Sequence, residues 1–541
     1  MRIRRCIIVA VVSGFGVQSI GNAEVIKWTG AGKRPIWEDK LNWNPKRVPG
    51  PNDDVVIPGD KGEVIIAQDY TLENGVPKPA PKKLKSFTIE KSTALETVTN
   101  LRSAEVHDGM PAPLKNVPVN IVIETSGDIA LGELARVRAA WGKPIAAFGV
   151  PGAGISLTST AGSVSVANFA SVDAGDGATG VTPDGVGFPR GPGGSIEVKA
   201  KKAVSVGEAS VYGGAVVGGG GVGAAASGGV VISAGDDITI RGVVAAGLTT
   251  EGVGGSVAIN AGKKLTATKT SFLLSGFSGT QGDFTAGGLA LVSGGLLTLE
   301  GMVTAKPGPH GGNVVIFCND IDNKTTVNAG DSTKANTAGG DILVTVKAAN
   351  PTKVGKLEAG DGKPKGTVTM NGKKIALGDR IRAGQILVKA VGGDGTAPEI
   401  VLAPGADLQA ESLICLDAGD GVIDLAGIAP HDVVLAVTDP GGFVNLVGEV
   451  ELAGAPGDQQ AALDPLIDGA FGISDVGCTP ESCFADIDLD GVVDEWDLTF
   501  LLALWGTSDD PTNSGLMADL DLDGVVGSSD LSLLLAAWGP C

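Results

Sequence analysis

Residues 193–200 read Gly-Gly-Ser-Ile-Glu-Val-Lys-Ala, and the phrase returns as GGVVISAG at 228–235, GGSVAINAG at 254–262, GGLALVSG at 287–294, GGNVVIFC at 311–318 and GGDILVTV at 339–346. In each copy a glycine pair opens a run in which apolar residues alternate with polar or small ones, the period-2 pattern of a strand with one buried face. The second glycines, Gly194, Gly229, Gly255, Gly288, Gly312 and Gly340, are separated by 35, 26, 33, 24 and 28 residues. A second strand follows each after a short polar turn, and a third commonly ends in an Ala-Gly turn with a variable loop. An irregular interval with a constant internal order is what stacked coils produce, because loops lengthen at corners without disturbing the strands. The repeat predicts a mainly β chain with almost no helix between about 117 and 450.

This repeat resembles right-handed parallel β-helices, in particular exported haemagglutinin-like proteins. The resemblance implies a right-handed parallel β-solenoid over 117–450, with an N-terminal β cap over 24–116. Parallel β-helices also include polysaccharide lyases and glycosidases, which work through clustered carboxylates, sometimes with calcium and an Arg or Lys base.

Composition agrees with stacked β-branched strands rather than bulky helices: of 541 residues 43% are hydrophobic but only 4% aromatic, and 84 are glycine. The formal net charge is −20, which argues against nucleic acid as a partner. The last Lys or Arg is Lys389, so residues 390–541 carry acids with no strong base among them. That asymmetry suits a cation-bound, extracellular role. Residues 1–23 combine Arg2, Arg4 and Arg5 with an apolar run and a small residue at Ala23, the pattern of a secretory leader too short to span a membrane. The mature chain is therefore expected to be secreted or held at the cell surface, without a membrane span.

The N-terminal region reads KWTGAGKRPIWEDKLNWNPKRVPGPNDDVVI and resembles the opening module of secreted bacterial β-helix proteins. Trp28, Trp37 and Trp43 are expected to cover the open first coil, since an uncapped solenoid exposes strand edges. The alternative is that they stack on sugar rings. Asp53 and Asp54 are expected to be turn residues.

The chain ends on a phrase written twice, DIDLDGVVDEWDLTFLLALWG from Asp486 and DLDLDGVVGSSDLSLLLAAWG from Asp519, 33 residues apart. Acids fall at loop positions 1, 3, 5 and 12 in both: Asp486, Asp488, Asp490 and Asp497, then Asp519, Asp521, Asp523 and Asp530, with Gly491 and Gly524 at position 6. This is the ligand spacing of an EF-hand calcium loop, in which alternate side chains point inward and a position-7 carbonyl, here Val492 or Val525, adds another oxygen. Two Ca²⁺ ions are expected, with Val493 and Val526 pairing the loops. Apolar residues at helical spacing follow, Leu498, Leu501, Leu502 and Trp505, then Leu531, Leu534, Leu535 and Trp538. Each copy thus reads as a calcium loop and one helix, a small α-helical module over 483–541, reached through a linker over 451–482.

The doubled half EF-hand resembles a type I dockerin, and more closely the dockerin-like repeats ending in AWG on secreted planctomycete-type proteins. The resemblance implies docking to a cohesin-like or cell-surface protein. Dockerins contact cohesin through small hydroxyl residues at loop positions 10 and 11; the second copy has Ser528 and Ser529 there, the first Glu495 and Trp496.

Cys318 and Cys415 sit in apolar strand runs and are expected to be buried free thiols. A Cys483–Cys541 disulfide would tie the two ends of the calcium module, which is too small to rely on its own core; Cys478 could pair with either. His107, His310 and His431 have no metal or triad spacing, and no nucleophile-elbow, zincin or phosphate-loop motif occurs. Acids also recur as x-A-G-D at Asp173/Asp176, Asn328/Asp331, Glu358/Asp361 and Asp417/Asp420. Such pairs could bind calcium or act as acid and base, but Gly-Asp is equally corner chemistry, and that reading is preferred. The sequence therefore supports an exported β-solenoid surface, adhesion or scaffold protein docked through calcium loops, with a polysaccharide-degrading enzyme as the alternative.

Overall fold

The computed structural model describes residues 24–452 except 68–69, 74–75, 94–97, 105–117, 143, 146–147, 150, 178–179, 182–186, 189–191, 209–214, 218–226, 250–251, 279–285, 348–351, 393–396, 426–433 and 440–442. Beyond 452 it describes 467–468, 470–473, 492–493, 498, 501, 531, 534–535 and 538–540.

The chain is mainly β, organised as one long, mostly parallel sheet whose strands pair mostly with strands one repeat further along the sequence. The pairings form three ladders. The first runs through Lys82–Leu84, Ile121–Thr125, Ile155–Ser159, Ile196–Ala200, Val230–Ala234 and Val257–Ala261. It continues through the early parts of Leu289–Leu299 and Val314–Asn323, then Ile342–Val346, Thr367–Gly372, the end of Arg380–Ala390, the middle of Asp407–Leu425, the start of Phe443–Leu452 and Ala470–Ile473. Among the described residues this ladder has fourteen rungs. The second begins with Val25–Trp28, Asp54–Ile57 and Ser86–Ile89 and passes through Ile129–Leu131 and Val164–Val166. The third begins with Glu63–Ile66, Asn100–Ser103, Arg136–Arg138 and Ser171–Asp173. Three strands in fixed order, each paired one repeat further on, are compatible with a β-solenoid. The strands of the N-terminal region belong to the same ladders as those after residue 117.

Alternation decides which side chains fill the interior. In the first ladder Ile121, Ile155, Ile196, Val230, Val257, Leu289, Val314 and Ile342 lie in register and are all essentially inaccessible to water. β-Branched residues suit this place because a pleated strand accepts their stiff χ1 rotamers. The same branched side chain therefore satisfies both local geometry and the stacked core.

The glycine pairs have a separate cause. At the corner between the third and first ladders, backbone amides donate along a column: Gly366 to the Gly360 carbonyl (2.9 Å), Gly360 to Gly340 (2.9 Å), Gly340 to Gly330 (2.7 Å) and Gly330 to Gly312 (2.7 Å). Glycines that open first-ladder strands thus interleave with those of the Ala-Gly turns. A Cβ on Gly360 would lie 1.8 Å from the Gly330 oxygen, so no larger residue fits unless the backbone moves.

The tryptophans pack inside the first coils. Trp28 and Trp37 each meet Trp43 edge-on with ring centroids 4.8 Å apart, and Trp37 also approaches Phe87. Trp43 Nε1 donates to the Trp37 carbonyl at 2.7 Å, satisfying the indole N–H at the centre of the cluster. All three are about 1% exposed, which leaves no face for stacking on a sugar.

Candidate functional site

The duplicated loop is the strongest chemical signal in the sequence, and one of its expected ligands, Val492, is among the described residues. Val492 and Val493 form a short antiparallel pair with Gly539–Pro540, Val492 opposite Pro540 and Val493 opposite Gly539. The end of the chain therefore returns to the first loop. Val526, the expected partner of Val493, lies outside the described residues. So do Asp486, Asp488, Asp490, Asp497, Asp519, Asp521, Asp523, Val525, Asp530, Ser528, Ser529, Cys483 and Cys541. Leu498 and Leu501 are helical, as are their counterparts Leu531 and Leu534 one repeat later, and Leu501 and Leu534 are fully buried together with Val493. As a donor set, carboxylates and a backbone carbonyl match a hard cation that takes oxygen ligands.

Acids along the ladders are engaged by neighbours. Asp173 accepts from Arg138 Nε at 3.2 Å and from the Ser171 hydroxyl at 3.0 Å. Glu358 is bound by Arg380 at 2.6 Å, Asp361 by Lys365 at 2.8 Å, and the Asp361 amide donates to Asp331 Oδ1 at 2.8 Å. Asp417, almost fully buried, accepts from the Gly419 amide at 2.8 Å, and Gly419 takes φ +54°, the left-handed turn that glycine allows. For these acids the corner reading accounts for the geometry. Asp53 is held by both terminal nitrogens of Arg47 at 2.5 and 2.6 Å and by the Gly50 amide at 2.7 Å. The Arg47 guanidinium keeps its carboxyl below the usual range. Asp54 accepts from Ser86 at 2.6 Å and Lys85 at 2.9 Å. Asp341 goes the other way: desolvation raises its carboxyl, although the Thr367 amide donates to it at 2.5 Å.

Among the described residues no three of His, Cys, Asp and Glu gather into a metal-type group, and no helix is long and apolar enough to cross a membrane. His310 is described and His107 and His431 are not. Cys318 is a buried free thiol, pushed upward by burial. Cys415 differs from expectation: it is disulfide-bonded. The two cysteines occupy opposite phases of their strands. Cys318 follows Val314 and Ile316 into the core, whereas Cys415 lies between the inward Ile414 and Leu416 and so points outward.

One residue escaped the sequence reading. Trp141 is 70% exposed at the corner leading from Arg136–Arg138 toward the first ladder. The same corner carries the excursions that hold the antiparallel pairs Pro144–Ile145 with Phe148–Gly149 and Gly180–Val181 with Gly187–Phe188. In stacked repeats, insertions at a common corner form a shared surface. The available signal was position: Trp141 falls after the Arg136–Arg138 strand and outside the alternation that buries Trp28 and Trp43.

No family model, curated protein or solved structure matches the chain.

Proposed function

We propose that the protein is an exported right-handed parallel β-solenoid, held in place by a C-terminal dockerin-like module that binds two Ca²⁺ ions. Handedness follows from the strong preference of parallel crossover connections for the right-handed sense. The solenoid serves as a structural or adhesive surface. The module, over 483–541, docks it to a cohesin-like or cell-surface protein, with Ser528 and Ser529 at the contact. Asp486, Asp488, Asp490, Val492 and Asp497 would hold one ion, and Asp519, Asp521, Asp523, Val525 and Asp530 the other. Calcium would neutralise each set of four carboxylates and let the two helices pack through Leu501 and Leu534.

The observation that carries this reading is the exact duplication of the loop spacing, joined to the burial of Leu501 and Leu534 at equivalent positions 33 residues apart. Proteolysis of the full chain with and without calcium tests it. Chelation should expose residues 485–541 to cleavage while the ladders stay resistant, and an identical digestion pattern in EDTA would remove the calcium claim.

A second reading is favoured by Trp141, an exposed aromatic on the loop-bearing corner: a polysaccharide lyase or glycosidase recruited by the same tail. New reducing ends or unsaturated products from acidic or neutral polysaccharides would establish it. Their absence across such a screen leaves the adhesive reading.

A further inference from the structure

What surrounds the exposed Trp141 is fixed by register. Arg138 lies opposite Asp173 on the next rung of the third ladder. Beyond these strands the Ala139 amide donates to the Asp173 carbonyl at 2.9 Å and the Gly142 amide to the Asp176 carbonyl at 2.8 Å. The same register therefore runs on through the corner and sets Trp141 opposite Asp176, one rung of about 4.8 Å away. Arg138 and Trp141 are three residues apart, a reach of at most about 11 Å. Asp176 is exposed, and the Arg138 and Asp173 side chains are 53% and 30% exposed. Two successive coils thus bring an indole, a guanidinium and two carboxylates to one corner.

The polar pair has bonding capacity left. Asp173 accepts from Arg138 Nε and from the Ser171 hydroxyl through the same oxygen, Oδ2, whereas an ionised carboxylate offers about four acceptor positions. Its Oδ1 is available to a further donor. Arg138 spends Nε on this pair, so among the described residues its two terminal nitrogens keep their donors. An ion pair this exposed adds little to stability, and the indole leaves most of its surface in water. Packing therefore explains neither.

These features select a ligand. A saturated ring with an apolar C–H face and hydroxyls at its edge can lay that face on the indole, whose π cloud is negative, and turn its hydroxyls to the adjacent donor and acceptor. Pyranose sugars have this form. Charge selects among them: Arg102, Arg136 and Arg138 on this side are balanced by Glu63, Asp173 and Asp176, with Arg102 paired to Glu63 and Arg138 to Asp173. With no excess of positive charge, the corner favours a neutral chain over a carboxylated or sulfated one.

We propose that Trp141, Arg138, Asp173 and Asp176 form a binding site for a neutral polysaccharide, with the indole as platform and the Arg138–Asp173 pair holding ring hydroxyls. The proposal rests on the reading of the solenoid as an adhesive surface and gives that surface a ligand. The site belongs to the solenoid and works without calcium.

Affinity electrophoresis of the full-length protein tests this, in native gels containing a neutral polysaccharide (dextran, galactomannan or mixed-linkage β-glucan) or an acidic one (polygalacturonate or alginate). At least one neutral polymer should retard the natural chain, and the acidic polymers should leave its mobility unchanged. Trp141→Ala should weaken the retardation about 10-fold or more, because a single aromatic anchor carries a large share of such binding. Its denaturation midpoint should match that of the natural chain, since the ring is 70% exposed. Arg138→Gln should also weaken retardation while leaving the fold intact. Retardation should persist in EDTA, which separates this site from the calcium module; that module's claim fails on its own, through digestion unchanged by chelation. Retardation by no neutral polymer, by acidic polymers alone, undiminished in Trp141→Ala, or lost on chelation would overturn the proposal.

Discussion

Replacing Gly287 by alanine and, separately, its neighbour Gly288 isolates the physical origin of the repeat. A Cβ on Gly287 would lie 1.9 Å from the Gly255 oxygen and 2.4 Å from its carbonyl carbon, while one on Gly288 would meet nothing closer than the Asn313 oxygen at 3.3 Å. Relieving the first contact requires a movement on the order of 1.4 Å, well outside the range over which N–H···O bonds survive. The Gly287 amide donates to Gly276 at 3.0 Å and the Gly276 amide to Gly255 at 2.6 Å, so both bonds would be lost at a buried corner. At about 1–3 kcal/mol for each orphaned pair, Gly287→Ala should cost about 3 kcal/mol or more. Gly288→Ala should lie within about 1 kcal/mol of the natural chain and could stabilise it by reducing the entropy of the unfolded state. Hydrogen exchange is the suitable assay, because a stacked array need not unfold in one step. The Gly276 and Gly287 amides should lose about 100-fold or more in protection in the first variant and little in the second. Equal protection in both would refute the claim that backbone-on-backbone packing selects the glycine pair.

Other consequences can be checked independently. Trp37→Ala should lose about 3–5 kcal/mol, read as a lower denaturation midpoint for the N-terminal coils, with no change in polysaccharide retention because the ring is buried. Two of the shifted carboxyls, Asp53 and Asp341, predict opposite pH behaviour. Asp53 is held below its ordinary value by Arg47, so its contribution is present above pH 3.8 and lost as pH falls; Asp53→Asn should flatten that acid loss. Asp341 is raised by desolvation, so its contribution is complete below pH 3.8 and lost as pH rises through the window above it. Asp341→Asn should remove that decline; denaturation midpoints from about pH 4 to 7 read the Asp341 effect, and midpoints carried below pH 3.8 read the Asp53 effect.

The alternation in GGSIEVKA and its copies was enough to specify strands with one buried face, because a period of two leaves little choice of side, while their parallel stacking was legible only from the constant internal order of the repeat. The number of rungs was not legible. Intervals of 35 and 24 residues differ only in corner loops, and a strand such as Asp407–Leu425 serves all three ladders in turn. Both uses of the Gly-Gly and Ala-Gly motifs were visible as punctuation, but their interleaving into one hydrogen-bonded column depends on the stacking of coils far apart in sequence. Burial of the tryptophans could be anticipated from the need to close an open coil end. Cys415 was misjudged through composition: IFC and LIC look alike, yet Cys318 is in phase with the inward Val314 and Ile316 and Cys415 is out of phase with Ile414 and Leu416. Phase, not apolar surroundings, separates the thiol from the disulfide. The duplicated aspartates read as a calcium signal because their spacing is local, and they lie outside the described residues.

Calorimetric titration of Ca²⁺ into the chelated full-length protein tests the central claim most directly. Two ions should bind per chain, with affinities of about 10⁻⁴–10⁻³ M or tighter, one should remain in Asp486→Ala, and none in Asp486→Ala/Asp519→Ala. No binding by the natural chain, or binding unchanged in the double variant, would contradict the account.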